Sequence, residues 1–308
     1  MALVSVCVPV YNVEQYIERC IESLRNQTLY DIEIIIVNDC TPDNSMQIVN
    51  MYAEIDGRIK IINHERNKGL MRARQTGYLA ANGDYVTFCD SDDSLPIDAI
   101  ETLYEAAINS NADIVSGDMN YIKVDNTCVT MSFSLRYGNN RESIYHSLLT
   151  KEYGHNLCSK LFSCSLFKDK DYETFDNFVN GEDGCLFYQI IAQTSNVIHI
   201  NKSVYNYYQN IESSSNIRLR ENAIRNILRV NSMKVKTVTP YPSLQKLLIR
   251  NVCGIIVDLY HAGYSRDYDL NRLIENEGLQ SYSSFTTILS TLSIKLILKY
   301  IVGHMKGC

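Results

Sequence analysis

The chain has 308 residues, 45% hydrophobic and 21% charged, which allows one large core or two smaller ones and excludes an intrinsically disordered chain. The net charge is -6, and no nucleic-acid partner is expected. Charge is unevenly placed, because after residue 212 there are 13 Lys/Arg against 6 Asp/Glu, so the two parts of the chain are expected to face different surroundings.

Residues 3–90 repeat one theme. Apolar, β-branched runs at 3–8, 32–37, 59–62 and 85–89 read as strands, and the stretches 13–26, 43–55 and 69–81 between them carry helical patterns. Strands alternating with helices at this spacing imply a parallel, doubly wound sheet, which binds ligands at the carboxyl ends of its strands. Those ends hold PVYN (9–12), ND (38–39), NHERNKG (63–69) and DSDD (90–93). A helix over 97–109 and a strand over 112–117 follow. Residues 120–140 read as hairpin strands, and 141–209 as mixed helix and strand. From about 217 the reading is helical: 217–237, ending before Pro240 and Pro242, then 243–262 and an amphipathic 284–302.

The ten cysteines form no C-x-x-C pair, which reads as reduced thiols in a cytoplasmic protein. The first residues, MALVSVCVPVYN, lack the basic region of a signal peptide. No run reaches the ~20 apolar residues of a membrane span.

Asp90, Asp92 and Asp93 crowd three carboxylates into four residues directly after an apolar strand. A helix N-cap explains one acid but not three. A calcium loop would want Gly where Leu95 stands, and a phosphatase nucleophile would be expected on the first strand. The remaining reading is a divalent cation holding a diphosphate, since Mg²⁺ and Mn²⁺ take carboxylate and phosphate oxygens together.

Beyond these residue-by-residue readings, VSVCVPVYNVEQYIERCIESLRNQTLYDIEIIIVNDCTPDNS (4–45) and NKGLMRARQTGYLAANGDYVTFCDSDD (67–93) resemble the donor-binding half of family 2 glycosyltransferases of the GT-A fold. Weaker similarity runs through CSKLFSCSLF, GEDGCLF and YNYYQ to about residue 215. The resemblance implies an α/β protein with a GT-A type, doubly wound, mostly parallel sheet and a C-terminal helical extension. Its catalytic domain would span 1–215 (donor half 1–93, acceptor half 94–215), followed by a helical region, 216–308.

The implied activity is metal-dependent, inverting transfer of a hexose or N-acetylhexosamine from a UDP-sugar to a glycan or lipid-linked saccharide, in bacterial surface polysaccharide synthesis. Pro9, Tyr11 and Asn12 would lie against base and ribose, and Asp39 would accept from the uracil N3–H. Lys68 and Arg72 would lie near the donor's phosphates and sugar. Asp90 would face the ribose or sugar, Asp92 would bind Mg²⁺ or Mn²⁺, Asp93 would lie near the sugar, and Asp183 would be the general base. Two departures stand out: Cys40 replaces a usual Gly, and the chain has no Trp, hence no Q-x-x-R-W element, which argues against a processive synthase.

Blander readings compete at several positions. Arg72 and Arg74 fit a solvated helix face equally well, Lys160 fits a surface lysine better than a diphosphate contact, and Glu182–Asp183 could simply cap a helix. A sugar-phosphate nucleotidyltransferase would want a Gly-rich loop in place of PVYNVEQ; a non-catalytic nucleotide-binding scaffold would need neither Asp92 nor Asp183. In the last third, Arg218, Arg225, Arg229 and Lys236 fall near one line on a helix. With the amphipathic 284–302 segment they suggest a peripheral contact with an anionic membrane, or else packing on the catalytic domain or a second subunit.

Overall fold

The computed structural model describes residues 2–178, 181–210 and 220–292, together with 296, 297 and 299. Strand β1 (Val4–Val10) is buried along its whole length because it lies between two parallel neighbours, β2 (Ile32–Asn38) and β4 (Tyr85–Phe88). That position is why its sequence is a nearly continuous apolar run rather than an alternating one. Strand β3 (Ile59–Asn63) pairs parallel with the outer side of β2. Helices α1 (Ile17–Arg25), α2 (Ser45–Ile55) and α3 (Leu70–Leu79) form the crossovers, so the βα order expected from the periodicity is present.

After α4 (Ala99–Ser110) the sheet continues with β5 (Ile114–Ile122), β6 (Cys128–Met131), β7 (Lys160–Ser163) and β8 (Val197–Tyr208), the order being β3-β2-β1-β4-β7-β5-β6 with β8 on the other side of β5. The sheet turns antiparallel at β7, which pairs with β4 and with the start of β5. Among the described residues the hairpin expected over 120–140 has its second strand at 128–131 only, and that strand is exposed. Helix α5 (Arg141–Thr150) precedes β7, and α6 (Glu182–Ile191) leads into β8.

Strand β8 runs parallel to β5, with register shifts between Gly117 and Met119. At the shift the backbones approach so closely that a Cβ on Gly117 would stand 2.6 Å from Val204 Cγ2 and 2.7 Å from the Lys202 carbonyl oxygen. The far end of β8 then reaches back to the loop after β4, where Ser94 and Asn206 form a bridge. This return joins the two halves of the sheet at the cleft.

Helices α7 (Glu221–Val238) and α8 (Gln245–His261) follow. Leu228, Leu248 and Ile256 of these helices belong to the same core cluster as Val6 and Phe88. The boundary expected at 215/216 lies outside the described residues, as does Arg218 of the basic stripe. The other stripe members are paired within the chain: Arg225 with Glu221 at 2.9 Å, Arg229 with Glu277 at 3.1 Å and Lys236 with Glu173 at 2.8 Å. Helix α9 (Phe285–Thr291) covers the start of the amphipathic segment, and its Ile288 and the following Leu292 are buried in the same core. No helix among the described residues is long and apolar enough to cross a membrane.

Gly117→Ala is expected to destabilise the protein by roughly 1–3 kcal/mol through overpacking. A denaturant midpoint that falls at unchanged slope checks this; an unchanged midpoint contradicts the close β5–β8 approach.

Candidate active site

The carboxyl ends of β1, β2 and β4 open on a cleft of about 680 Å³ lined by Pro9, Tyr11, Asn12, Asp39, Asp90 and Asp92, and on its far wall by Gly181, Glu182 and Tyr207. The turn after β1 is held by the loop after β2. Asn12, in the left-handed region at φ 55, donates its N–H to Thr41 Oγ1 at 2.7 Å, and Glu14 N–H donates to Asp43 Oδ2 at 2.8 Å. Tyr11 stands 47% exposed on this wall, a free aromatic face toward the cleft.

Asp39 is buried, and its Oδ1 accepts from His64 Nδ1 at 2.7 Å and from Lys68 N–H at 2.8 Å. A carboxylate only accepts, so Nδ1 carries the proton. Oδ2 accepts from Gly69 N–H at 2.7 Å. Gly69 has φ 88, and a Cβ there would meet the Asn177 backbone at 2.9 Å, so only glycine fits. Asp39 therefore lines the cleft and also fastens the β3–α3 loop across the strand ends. Lys68 contributes its backbone here, its carbonyl accepting from Asn177 N–H at 2.7 Å.

Three of the expected donor contacts, Lys68 among them, do not line the cleft. Arg72 does not line the cleft: its guanidinium donates to Asp176 at 2.9 Å, Gln75 at 2.7 Å and Thr174 at 2.6 Å. Asp93 is 1% exposed and accepts from Tyr205 OH at 2.7 Å and Tyr208 N–H at 2.9 Å. It ties the loop after β4 to the end of β8 rather than facing the cleft, and burial pushes its carboxyl well up.

The residue that the sequence reading left undecided is Arg74, one turn into α3. It is 2% exposed. Its Nη2 donates to Asp90 Oδ1 at 2.7 Å, and its Nη1 donates to Asp183 Oδ1 and, at 3.4 Å, to Glu182 Oε1. One guanidinium thus holds an acid from the donor half to two acids at the start of α6, and these three carboxylates in turn keep it charged despite burial. Asp90 Oδ2 accepts from the Cys158 thiol at 3.4 Å. Asp183 Oδ2 accepts from Leu157 N–H at 3.3 Å.

One buried cation against so many acids leaves charge over. Burial and the neighbouring Asp90 push Asp92 up to about 6. Burial and Asp183 push Glu182 up to about 7, and burial raises Asp183 too. Arg19 adds a further cation at the loop, its Nη2 donating to the Asp92 carbonyl and its guanidinium lying 3.5 Å from the Tyr208 ring centroid. Nothing in the sequence singled out Arg19, which sits on α1, far from the acid motif in the chain.

Lys160 is neither a surface lysine nor lining the cleft. It is fully buried among Tyr153, Phe187 and Phe133, at 5.2, 5.2 and 5.8 Å from the ring centroids. Its ammonium donates to the Asn156 carbonyl at 2.6 Å and to Asn156 Oδ1 at 3.1 Å. Burial pushes it down to about 7. It braces the turn whose next N–H, at Leu157, holds Asp183.

Comparison with known proteins gives this geometry a context. The family model described as Glycosyl transferase family 2 matches residues 5–175. Glycosyltransferase GlyG of Streptococcus pneumoniae is 30% identical over 242 residues, covering 76% of this chain and 79% of that protein. Glycosyltransferase GlyA of the same organism is 36% identical over 215 residues, 66% of this chain but only 30% of its own length. The crystal structure of S. aureus TarS 1–349 in complex with UDP superposes with a TM-score of 0.70 at 18% identity, covering 100% of this chain and 88% of that one, and a UDP-GlcNAc complex of the same protein superposes with 0.69.

The excess acid gives the site a pH signature. The carboxyls of Asp92 and Glu182 hold protons in the folded chain at pH values where the unfolded chain has lost them, so stability contributed below the ordinary carboxyl range is lost as pH rises through about 6 and about 7. Lys160 and His155, pushed down to about 7 and about 4, work in the opposite direction over the same range, so the signature is read by difference: Glu182→Gln should melt higher than the wild type at pH 8 and like it at pH 5. Arg74→Met should cost about 3–5 kcal/mol near pH 8 and less at pH 5, where protons replace the guanidinium. Thermal melts across that range check both; a destabilisation by Arg74→Met that does not vary with pH contradicts the reading.

Proposed function

Since this chain belongs to glycosyltransferase family 2, is a glycosyltransferase and shares the GT-A fold of its solved neighbours, we propose that it moves a hexose or N-acetylhexosamine from a UDP-sugar to a saccharide acceptor, with inversion, in building a bacterial surface polysaccharide. The observation that carries the reading is the meeting of the Asp90–Asp92 loop with Glu182–Asp183 through Arg74. Asp90 and Asp92 line the cleft from the β4 side and Glu182 from the α6 side, with Asp183 behind it on Arg74, an arrangement that supports a single in-line displacement.

Tyr11, Pro9 and Asp39 form the wall suited to a uracil and ribose: an exposed ring, an apolar edge, and a carboxylate whose Oδ2 accepts from Gly69 N–H. Among the described residues no three acidic, His or Cys side chains gather into a site that could hold a metal unaided. Asp90 and Asp93 already have partners on both oxygens. Asp92, which lines the cleft and which the family resemblance marks out, is the carboxylate that would hold Mg²⁺ or Mn²⁺, the diphosphate and water supplying the other ligands, a donor set that fits hard cations. A bound cation would withdraw charge from the departing diphosphate.

Asp183 takes the proton of the attacking hydroxyl. Leu157 N–H and Arg74 fix its carboxylate, and burial raises its proton affinity toward what a base needs. Glu182 lines the cleft beside it and is the second acid within reach of the acceptor.

Two substitutions test the roles together. Asp92→Asn should abolish transfer with the fold intact, melting like the wild type at pH 5 and higher than it at pH 8, where the wild-type carboxylate is a buried, uncompensated charge. Asp183→Asn should lower turnover by ~10²–10⁴-fold while UDP affinity holds, and Glu182→Gln should lower it less. Turnover of a UDP-sugar panel together with UDP titration measures both. Full activity in excess chelator removes the role given to Asp92, and a larger loss from Glu182→Gln than from Asp183→Asn transfers the base to Glu182.

A further inference from the structure

A second cleft, of about 480 Å³, opens beyond Tyr207, which lines both it and the donor cleft. Its floor is the exposed face of three adjacent strands. Tyr121 of β5 is in register with Tyr207 of β8, and two residues back Met119 of β5 is in register with Met131 of β6; all four line the cleft. Tyr121 and Tyr207 stack with ring centroids 5.6 Å apart and planes 18° from parallel. Phe133, Leu148 and Tyr153 close the sides.

The inner end lies beside the proposed base. His155 lines the cleft, and its ring edge comes so near α6 that a Cβ on Gly184, the residue after Asp183, would stand 3.1 Å from it. Asn156, also in the lining, immediately precedes the Leu157 N–H that holds Asp183. This end of the cleft therefore lies against the segment that carries Asp183.

The lining says what such an acceptor is. It holds no Asp or Glu and one lysine, Lys151, which is exposed. Burial and the surrounding lysines push His155 down to about 4, so it is uncharged at neutral pH. Apart from Asn156, the rest is aromatic or apolar. Flat aromatic faces with hydroxyls at their edges match a pyranose, whose axial C–H bonds form an apolar face while its hydroxyls point outward. An open-chain polyol phosphate offers no such face and brings charge that this lining does not meet.

We infer that the acceptor is a cyclic sugar whose terminal pyranose stacks on the Tyr121–Tyr207 pair and enters the cleft toward Asp183. The inference rests on the proposed transferase reading of the donor cleft, and its test separates the two.

The probes are methyl β-D-glucopyranoside, methyl β-D-galactopyranoside and methyl N-acetyl-β-D-glucosaminide, against ribitol 5-phosphate as the open-chain anion and hexyl phosphate as an alkyl chain. Each is presented to the full chain with saturating UDP and Mn²⁺, and binding is read by saturation transfer to ligand C–H protons. UDP affinity, measured separately by calorimetry, reads the donor cleft alone. Ring protons of at least one pyranoside should receive saturation. Tyr121→Ala should weaken that binding roughly three- to tenfold, Tyr121→Phe should preserve it, and Met131→Ala, on the exposed strand, should weaken it without loss of fold. If UDP fails to bind the wild-type chain, the donor reading falls. If UDP binds but no pyranoside does, if ribitol phosphate or hexyl phosphate is preferred, or if pyranoside binding ignores Tyr121, the cyclic-acceptor inference is overturned while the donor reading stands.

Discussion

The cleft depends on a guanidinium that water does not reach. Arg74, 2% exposed, sits on a helix of the parallel half and binds acids from both sides of the cleft. A buried cation is costly unless paired, and like-charged carboxylates at this spacing are costly unless neutralised. Each group is tolerable because of the others. Burial, and after it the excess of negative over positive charge, is why Asp92, Glu182 and Asp183 all bind protons more tightly than usual. A site built with surplus acid at rest is suited to a cation that arrives with its substrate.

The sheet topology makes this meeting possible. Parallel strands put PVYN, Asp39 and the Asp90 loop on one edge. The switch to antiparallel at β7, and the return of β8 beside Ser94, bring residues more than a hundred positions later onto the same edge. Asp93, expected near the sugar, instead fastens that return through Tyr205 and Tyr208. Lys160 works from behind, bracing the turn before β7 from an aromatic enclosure.

The parallel half was readable because both of its signals are local. Continuous β-branched runs mark doubly covered strands, and the polar clusters after them mark the ligand edge. Positions 9, 11, 12, 39, 90 and 92 accordingly line the cleft. What was not readable depended on direction or distance. Arg72 and Arg74 are two residues apart on one helix, about 200° in projection, and local sequence could not say which turned inward. Lys160 is buried by rings from three separate segments, a context that no window around it contains. Of the basic stripe, Arg225, Arg229 and Lys236 lie on α7 while Arg218 is outside the described residues, and the partners of Arg229 and Lys236, Glu277 and Glu173, lie far away in the chain.

The most direct test of this account is calorimetry of UDP binding at pH 6 with and without Mn²⁺, repeated in buffers of different ionisation enthalpy. With Asp92 pushed up to about 6 in the free protein, binding of UDP with the metal should be much tighter than binding of UDP alone and should release more protons than the same binding to Asp92→Asn. UDP that binds equally well in chelator, or a proton release that Asp92→Asn leaves unchanged, would contradict the claim that the surplus acid is there to receive a cation and a diphosphate.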